Sequence, residues 1–404
     1  MKEETAMKTL NQLACLLVVT AASGALVQAA KPAGAGITKE TLIFKLDKSR
    51  DIRENRGLHS MQLSPDGKML LYVQQAPKAA DQDRGYRLVL RDIKAGKDTV
   101  LPGAPSGSDD FLVAYTSMNP FDAKGKKLVI PVAAGDKPVR PGKGTMQLGV
   151  YDIKSGKLDK PDLSGPIIFP TYDAGGGNLI VFVMARGEHG PDPAGSKIVV
   201  SPVDKIKFRK IGIVGLTRSP CPGTSVMPIL LIPPNRDAPD GGRGTPKFVL
   251  YDTKSDKQLA APTVHSGSRL DDYNPQWTAD GRFLYYFDTE KDSDPDGGIQ
   301  DKSIVRVWDR GKNIERAIIE GAIPVGPGPG ESTMILLKTM SRLKKKGPGY
   351  VIDDPTSSKT VSLGGEGIRI LYARGGLIVY VKENADDQEQ VFHAEIKLSG
   401  AKKK

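Results

Sequence analysis

The densest run of hard-cation ligands in the chain is Asp292-Ser293-Asp294-Pro295-Asp296-Gly297-Gly298-Ile299. Carboxylates at alternate positions followed by glycine can wrap oxygen atoms around calcium. Ser303 stands where a helix–loop–helix calcium site carries its bidentate glutamate, and Asp301 is the residue that would substitute for it. Asp292, Asp294, Asp296 and Asp301 are therefore the candidate metal ligands, and calcium is the cofactor they would take. The alternative is a solvated acidic turn with no cofactor. Histidine is scarce, and His59, His189 and His265 fall in connections between apolar runs. Three imidazoles brought to one side could hold a catalytic transition metal. The alternative is three unrelated surface groups and no catalytic residue at all. His393 lies inside an apolar run and reads as a packing residue.

Other catalytic signatures are missing. The sequence has no Gly-x-Ser-x-Gly elbow, no His-Glu-x-x-His and no phosphate loop ending Gly-Lys-Ser/Thr. Cys221 sits between Pro220 and Pro222 with no histidine nearby in sequence, which describes an inert thiol rather than a nucleophile. No peptidase domain is expected after the last repeat.

The elements that would position these residues are strands. Leu63-Ser64-Pro65-Asp66-Gly67-Lys68 is a tight polar turn followed at once by an apolar run. Proline presets the turn, and Asp-Gly tolerates its left-handed position. Glycine-centred turns of this kind recur at Gly67, Gly125, Gly176, Gly223, Gly281, Gly330 and Gly375, at intervals of 58, 51, 47, 58, 49 and 45 residues. Most are followed by a second apolar strand ending in an Asp-headed turn, as in Val89–Lys97, Val150–Lys157, Val249–Lys257 and Val305–Lys312. Each unit then reads as four antiparallel strands, a to d, and the period predicts an all-β, seven-bladed β-propeller, with six blades as the alternative. The last unit lacks a fourth strand. The lone strand Thr41–Leu46 is expected to fill it and close the ring. The b–c connections, such as Ala185–Ser196 and Asp288–Ser303, are expected to be long loops sharing one face with the d–a connections.

The segment Asn274-Pro275-Gln276-Trp277-Thr278-Ala279-Asp280-Gly281-Arg282, together with residues 63–68, resembles the repeat of the TolB-like periplasmic propellers, and Asn119–Lys126 is a degraded copy. The resemblance covers the repeats and implies the propeller fold. Similar repeats occur in binding proteins, in peptidase propeller domains and in a few lyases that use a histidine-held metal. Function has to be argued from a site rather than from the fold.

Residues 1–29 read as a secretory signal: Lys8 precedes an apolar core from Leu10 to Val19, and Val27-Gln28-Ala29 resembles a cleavage site. That apolar run is too short for a transmembrane segment. Residues 30–39 are expected to be a linker, 40–398 the propeller and 399–404 a basic tail. After removal of the signal and its Cys15, Cys221 is the one cysteine left, so a packed core must supply stability. The balance of 58 Lys and Arg over 47 Asp and Glu leaves a net charge of +11. Export, and lysines without interleaved aromatics, disfavour nucleic acid. The expectation is a periplasmic or secreted monomer that binds an envelope protein or polysaccharide through its long-loop face without catalysis. The alternative is a metal-dependent lyase or hydrolase acting on an acidic polysaccharide.

Overall fold

The computed structural model describes residues 35–45, 61–75, 86–102, 119–133, 146–165, 167–173, 177–187, 190–213, 216–217, 219–231, 247–262, 275–293, 299–338, 349–363, 367–383 and 389–398. Among them there are strands and turns and no α-helix. The first strand is β1 (Ala35–Lys45). Blade one contains β2 (Gln62–Leu63), β3 (Met69–Gln75), β4 (Tyr86–Asp92) and β5 (Lys97–Val100). Blade two has β6 (Lys127–Ala133) and β7 (Met146–Asp152), with its outer edge split into β8 (Leu158–Asp159) and β9 (Ser164–Gly165). Its innermost strand is reduced to a Phe121–Leu128 bridge. Blade three is β10 (Ile167–Tyr172), β11 (Asn178–Gly187), β12 (Gly190–Pro202) and β13 (Arg209–Lys210). Blade four is β14 (Leu216–Thr217), β15 (Val226–Leu231), β16 (Lys247–Asp252) and β17 (Lys257–Leu259). Blade five is β18 (Gln276–Trp277), β19 (Phe283–Ser293), β20 (Ile299–Asp309) and β21 (Ile314–Glu320). Blade six is β22 (Ala322–Pro327), β23 (Met334–Lys338), β24 (Gly349–Asp354) and β25 (Lys359–Ser362). Blade seven is β26 (Ile368–Arg374), β27 (Leu377–Glu383) and β28 (Glu389–Leu398), and its fourth strand is β1. The protein is a seven-bladed β-propeller, not a six-bladed one.

The ring closes as the short last unit requires. β1 runs antiparallel to β28 from Ala35 opposite Leu398 to Lys45 opposite Gln390, with two register shifts. It starts at Ala35, inside the stretch expected to be linker. Blade one holds it as well, across the seam. Arg91 of blade one donates to the Ile43 carbonyl at 2.7 Å, and the Phe44 and Tyr72 rings lie 5.6 Å apart. Lys39 pairs with Glu395 at 2.8 Å, and the Tyr380 hydroxyl donates to the Glu40 carboxylate.

Both faces of the central strands are apolar because each blade is sandwiched between two others. Leu71 and Val73 pack towards Phe121 and Ile130 of blade two, while Leu70 and Tyr72 pack towards Val379 and Val391 of blade seven. Strand alternation sends successive side chains to opposite neighbours. Seven such clusters line the seven seams. Trp277 and Trp308 are both core residues in the seam between blades four and five.

The repeated turns share a wiring. Ser64 and Thr278 each donate a hydroxyl hydrogen bond to the turn aspartate, Asp66 or Asp280, and accept one from the amide of Met69 or Phe283. Gly281 is left-handed (φ 66°), and a β-carbon there would lie 2.7 Å from Cys221 Sγ and 2.8 Å from the Pro222 carbonyl. Glycine at that position thus lets two neighbouring turns touch. In the Asp-headed c–d turns, the residue four places after the aspartate is left-handed every time it is described: Gly96, Gly156, Asp256, Asn313 and Ser358. Ser358 carries a side-chain penalty that Gly96 and Gly156 escape. Ser358→Gly is expected to raise stability by about 0.5–1 kcal/mol, read as a higher denaturant midpoint at unchanged slope.

Two expected loops are largely strand. β11 and β12 continue to a Gly187–Gly190 pair, across Ala185–Ser196. β19 and β20 continue to a Ser293–Ile299 pair, so the expected Asp288–Ser303 loop is a hairpin arm with only 294–298 outside the described residues.

Candidate functional site

Strand order puts the b–c and d–a connections at one end of the ring and the short a–b and c–d turns at the other. The long-connection face carries the two hairpin arms, and the arm of blade five has a charged foot. Asp288 on β19 is fully buried and accepts from Arg306 Nε at 2.7 Å. Arg306 Nη1 donates to both carboxylate oxygens of Glu315 on β21, at 3.1 and 2.9 Å. Burial works against the Arg306 charge, but the hydrogen bonds to Asp288 and Glu315 outweigh it and hold the guanidinium firmly protonated. This triad ties three adjacent strands together where the arm leaves the blade. Enclosed and paired, Asp288 is a structural group and has no access to a substrate.

The triad was absent from the sequence-level candidates. Its signal is a charge that closes the apolar run Tyr285-Tyr286-Phe287-Asp288 and another inside Val305-Arg306-Val307. The candidate metal ligands fall elsewhere. His59, His189, His265, Asp294 and Asp296 lie outside the described residues, as do the side chains of Asp292 and Asp301. The backbone pairs Asp292 with Gln300 and Asp301 with Lys291 in the arm. Among the described residues no group of three or more His, Cys, Asp or Glu could hold a metal ion.

Cys221 and His393 both lie at seams between blades. Cys221 is fully buried, burial pushes its thiol pKa up, and its sulfur donates to the Gly281 carbonyl at 3.3 Å. His393 is held below the usual histidine range by burial, with Glu395 partly opposing the shift, and packs in the seam beside Gly67. A shallow, mixed-charge cleft of about 480 Å3 lies between blades two and three, lined by Asp159, Lys160, Asp162 and Lys207 with Ile206 and Phe208.

A buried cross-seam bond offers a test of the electrostatics. Tyr285 Oη of blade five donates to Asp353 Oδ2 of blade six at 2.6 Å. Burial raises the Asp353 pKa, and the Tyr285 bond only partly opposes it. A carboxyl raised in the folded state contributes stability below its unfolded pKa and loses it as pH rises through the folded pKa. Asp353→Asn keeps an acceptor for Tyr285 and removes the charge. It is expected to raise the melting temperature at pH 7 and to have little effect near pH 4.

As a sequence, the chain matches no family model and no curated protein. As a structure, it is similar to the β-propeller domain of the trilobed protease from Pyrococcus furiosus, which has an open velcro topology. The identity is 11%, covering 91% of this chain and 96% of that one, with a TM-score of 0.51. It is similar to an oligogalacturonate lyase in complex with manganese at 10% identity, covering 84% and 89%, with a TM-score of 0.50. It also resembles Pyrococcus horikoshii acylaminoacyl peptidase at 13% identity, covering 82% of this chain and 50% of that one, with a TM-score of 0.50. At these identities the likeness is one of fold, shared by peptidases and a lyase.

Proposed function

We propose that the protein is an exported, TolB-like propeller of the cell envelope, monomeric in the periplasm or outside the cell. It binds an envelope protein or polymer through its long-connection face and does no covalent chemistry. The observation that carries this reading is the hairpin arm of blade five, a paired extension of β19 and β20 on that face whose foot is held by Asp288 and Arg306. Rigid scaffolds with long connections on one face are suited to recognition by complementarity. The expected result is that the immobilised protein retains a defined component from solubilised envelope proteins and glycans. Deleting residues 291–301 should abolish retention without lowering the melting temperature. Equal retention by the deletion variant, or none by the parent, overturns the reading.

A metal-dependent lyase or hydrolase acting on an acidic polysaccharide is the second reading. It is favoured by the topology, because His59, His189 and His265 all belong to connections anchored at strand ends of that same face. The manganese-bound oligogalacturonate lyase among the structural relatives makes a transition metal the ion to look for. Elemental analysis separates the two: stoichiometric metal, lost in His265→Ala, supports the enzyme. Calcium held by Asp292, Asp294, Asp296 and Asp301 would instead be structural, and chelator would then lower the melting temperature of the parent but not of Asp294→Ala.

A further inference from the structure

The short-turn face is built differently from the long-connection face, and its chemistry repeats from blade to blade. In blades one to five, an amide just beyond strand c donates to a carbonyl in the same blade's a–b turn. Examples are Ile93 to Lys68, Ile153 to Lys126 and Thr253 to Ser225, at 2.9 to 3.0 Å. This bond sets equivalent turns at equivalent heights around the ring. In blades one, two, four, five and six the c–d turn begins with an aspartate that accepts hydrogen bonds from the turn itself, as Asp92 does from the Ala95 amide, Asp152 from Ser155 and Asp252 from Lys254, whereas in blade three Pro202 holds that place and Ser201 accepts from the Lys207 amide. Asp92, Asp152 and Asp252 are half-buried, while the lysines that follow them stand exposed: Lys94 and Lys97, Lys154 and Lys157, Lys254 and Lys257. Lys157 meets Asp159 at 2.8 Å in a pair that is exposed to solvent.

Apolar side chains stand among the cations. Ile206, between Lys205 and Lys207 in the blade-three turn, is 37% exposed, and Ile314, two residues after Lys312 in blade five, is 48% exposed. Blade seven has no c–d turn. There β28 ends at Leu398 on this same face, and Lys402-Lys403-Lys404 follow in the sequence.

We propose that the short-turn face docks on an anionic lipid surface. The lysines of successive blades supply point charges spread over a broad annulus, and Ile206 and Ile314 enter the headgroup layer between them. Lysines close to an anionic membrane add attraction residue by residue, and this attraction is screened by salt. Ile206 in its turn and Ile314 at the first position of β21 are exposed, and they favour a lipid surface over a soluble acidic polymer, which offers them nothing to enter.

The test is co-sedimentation of the purified protein with vesicles. Vesicles of phosphatidylglycerol and phosphatidylcholine in equal parts should retain it at low salt, whereas phosphatidylcholine alone should not. The triple variant Lys94→Glu/Lys154→Glu/Lys254→Glu should bind at least roughly a hundredfold more weakly. Ile206→Asp should weaken vesicle binding, while Lys338→Glu/Lys382→Glu, at the other end of the ring, should not. Three results would overturn the proposal: no preference for the anionic vesicles, equal loss in the Lys338/Lys382 control, or binding confined to soluble polygalacturonate. All variants should keep the parent melting temperature, since the altered side chains are exposed.

Discussion

A chain lacking residues 31–47 is expected to lose its single cooperative melting transition and to associate through the uncovered edge of β28. β1 supplies eight paired positions against that strand, buries Ile43, and receives the Arg91 guanidinium on its far side. At about 0.5–1.5 kcal/mol for each hydrogen bond and about 1.5–3 kcal/mol for the buried isoleucine, the loss reaches the whole stability of an ordinary domain. An exposed strand edge then becomes a template for other chains. Size-exclusion chromatography and thermal unfolding report both effects. A truncated protein that stays monomeric and melts within a few degrees of the parent would show that the ring stands unsewn.

Arg306→Ala is expected to cost about 3–5 kcal/mol. The substitution takes the guanidinium from a carboxylate that is fully out of water, since the Asp288 side chain is 0% exposed. Most of the cost should come from Asp288, because Glu315 is partly solvated and loses little when released. Replacing the pair together, with Asp288→Leu and Arg306→Met, should recover most of the loss, since a buried ion pair is often matched by apolar groups of similar size. Chemical denaturation of the parent, single and double variants measures this directly. A cost below about 1 kcal/mol for Arg306→Ala would mean that water reaches the site.

The architecture was legible because its strongest signals are local. Pro65-Asp66-Gly67 and Asp280-Gly281 specify turns by their own chemistry, and the runs after them are apolar on both sides because both sides are seams. The missing fourth strand of blade seven and the lone strand near residue 41 fit each other by simple accounting of edges. The arms were hidden for the opposite reason. Residues 288–303 are charged and read as a loop, and only the ladder reveals that Glu290 stands across from Lys302 and Lys291 from Asp301. The Asp288–Arg306 bond was hidden because Asp288 heads a charged stretch and nothing in the sequence pairs it with an arginine 18 residues on. The histidine candidates rest on a shared face and the aspartate candidates on alternate spacing; both fall outside the described side chains, and sequence spacing carries no distances between blades.

The strand that closes the ring leaves Ala35 directly across from Leu398. The start of the first described strand and the end of the last are therefore neighbours, and the position of the break between them is a matter of genetics rather than of architecture. A short peptide joining them would yield an endless chain, and a permuted gene could start at the tip of the blade-five arm while every seam kept its partners.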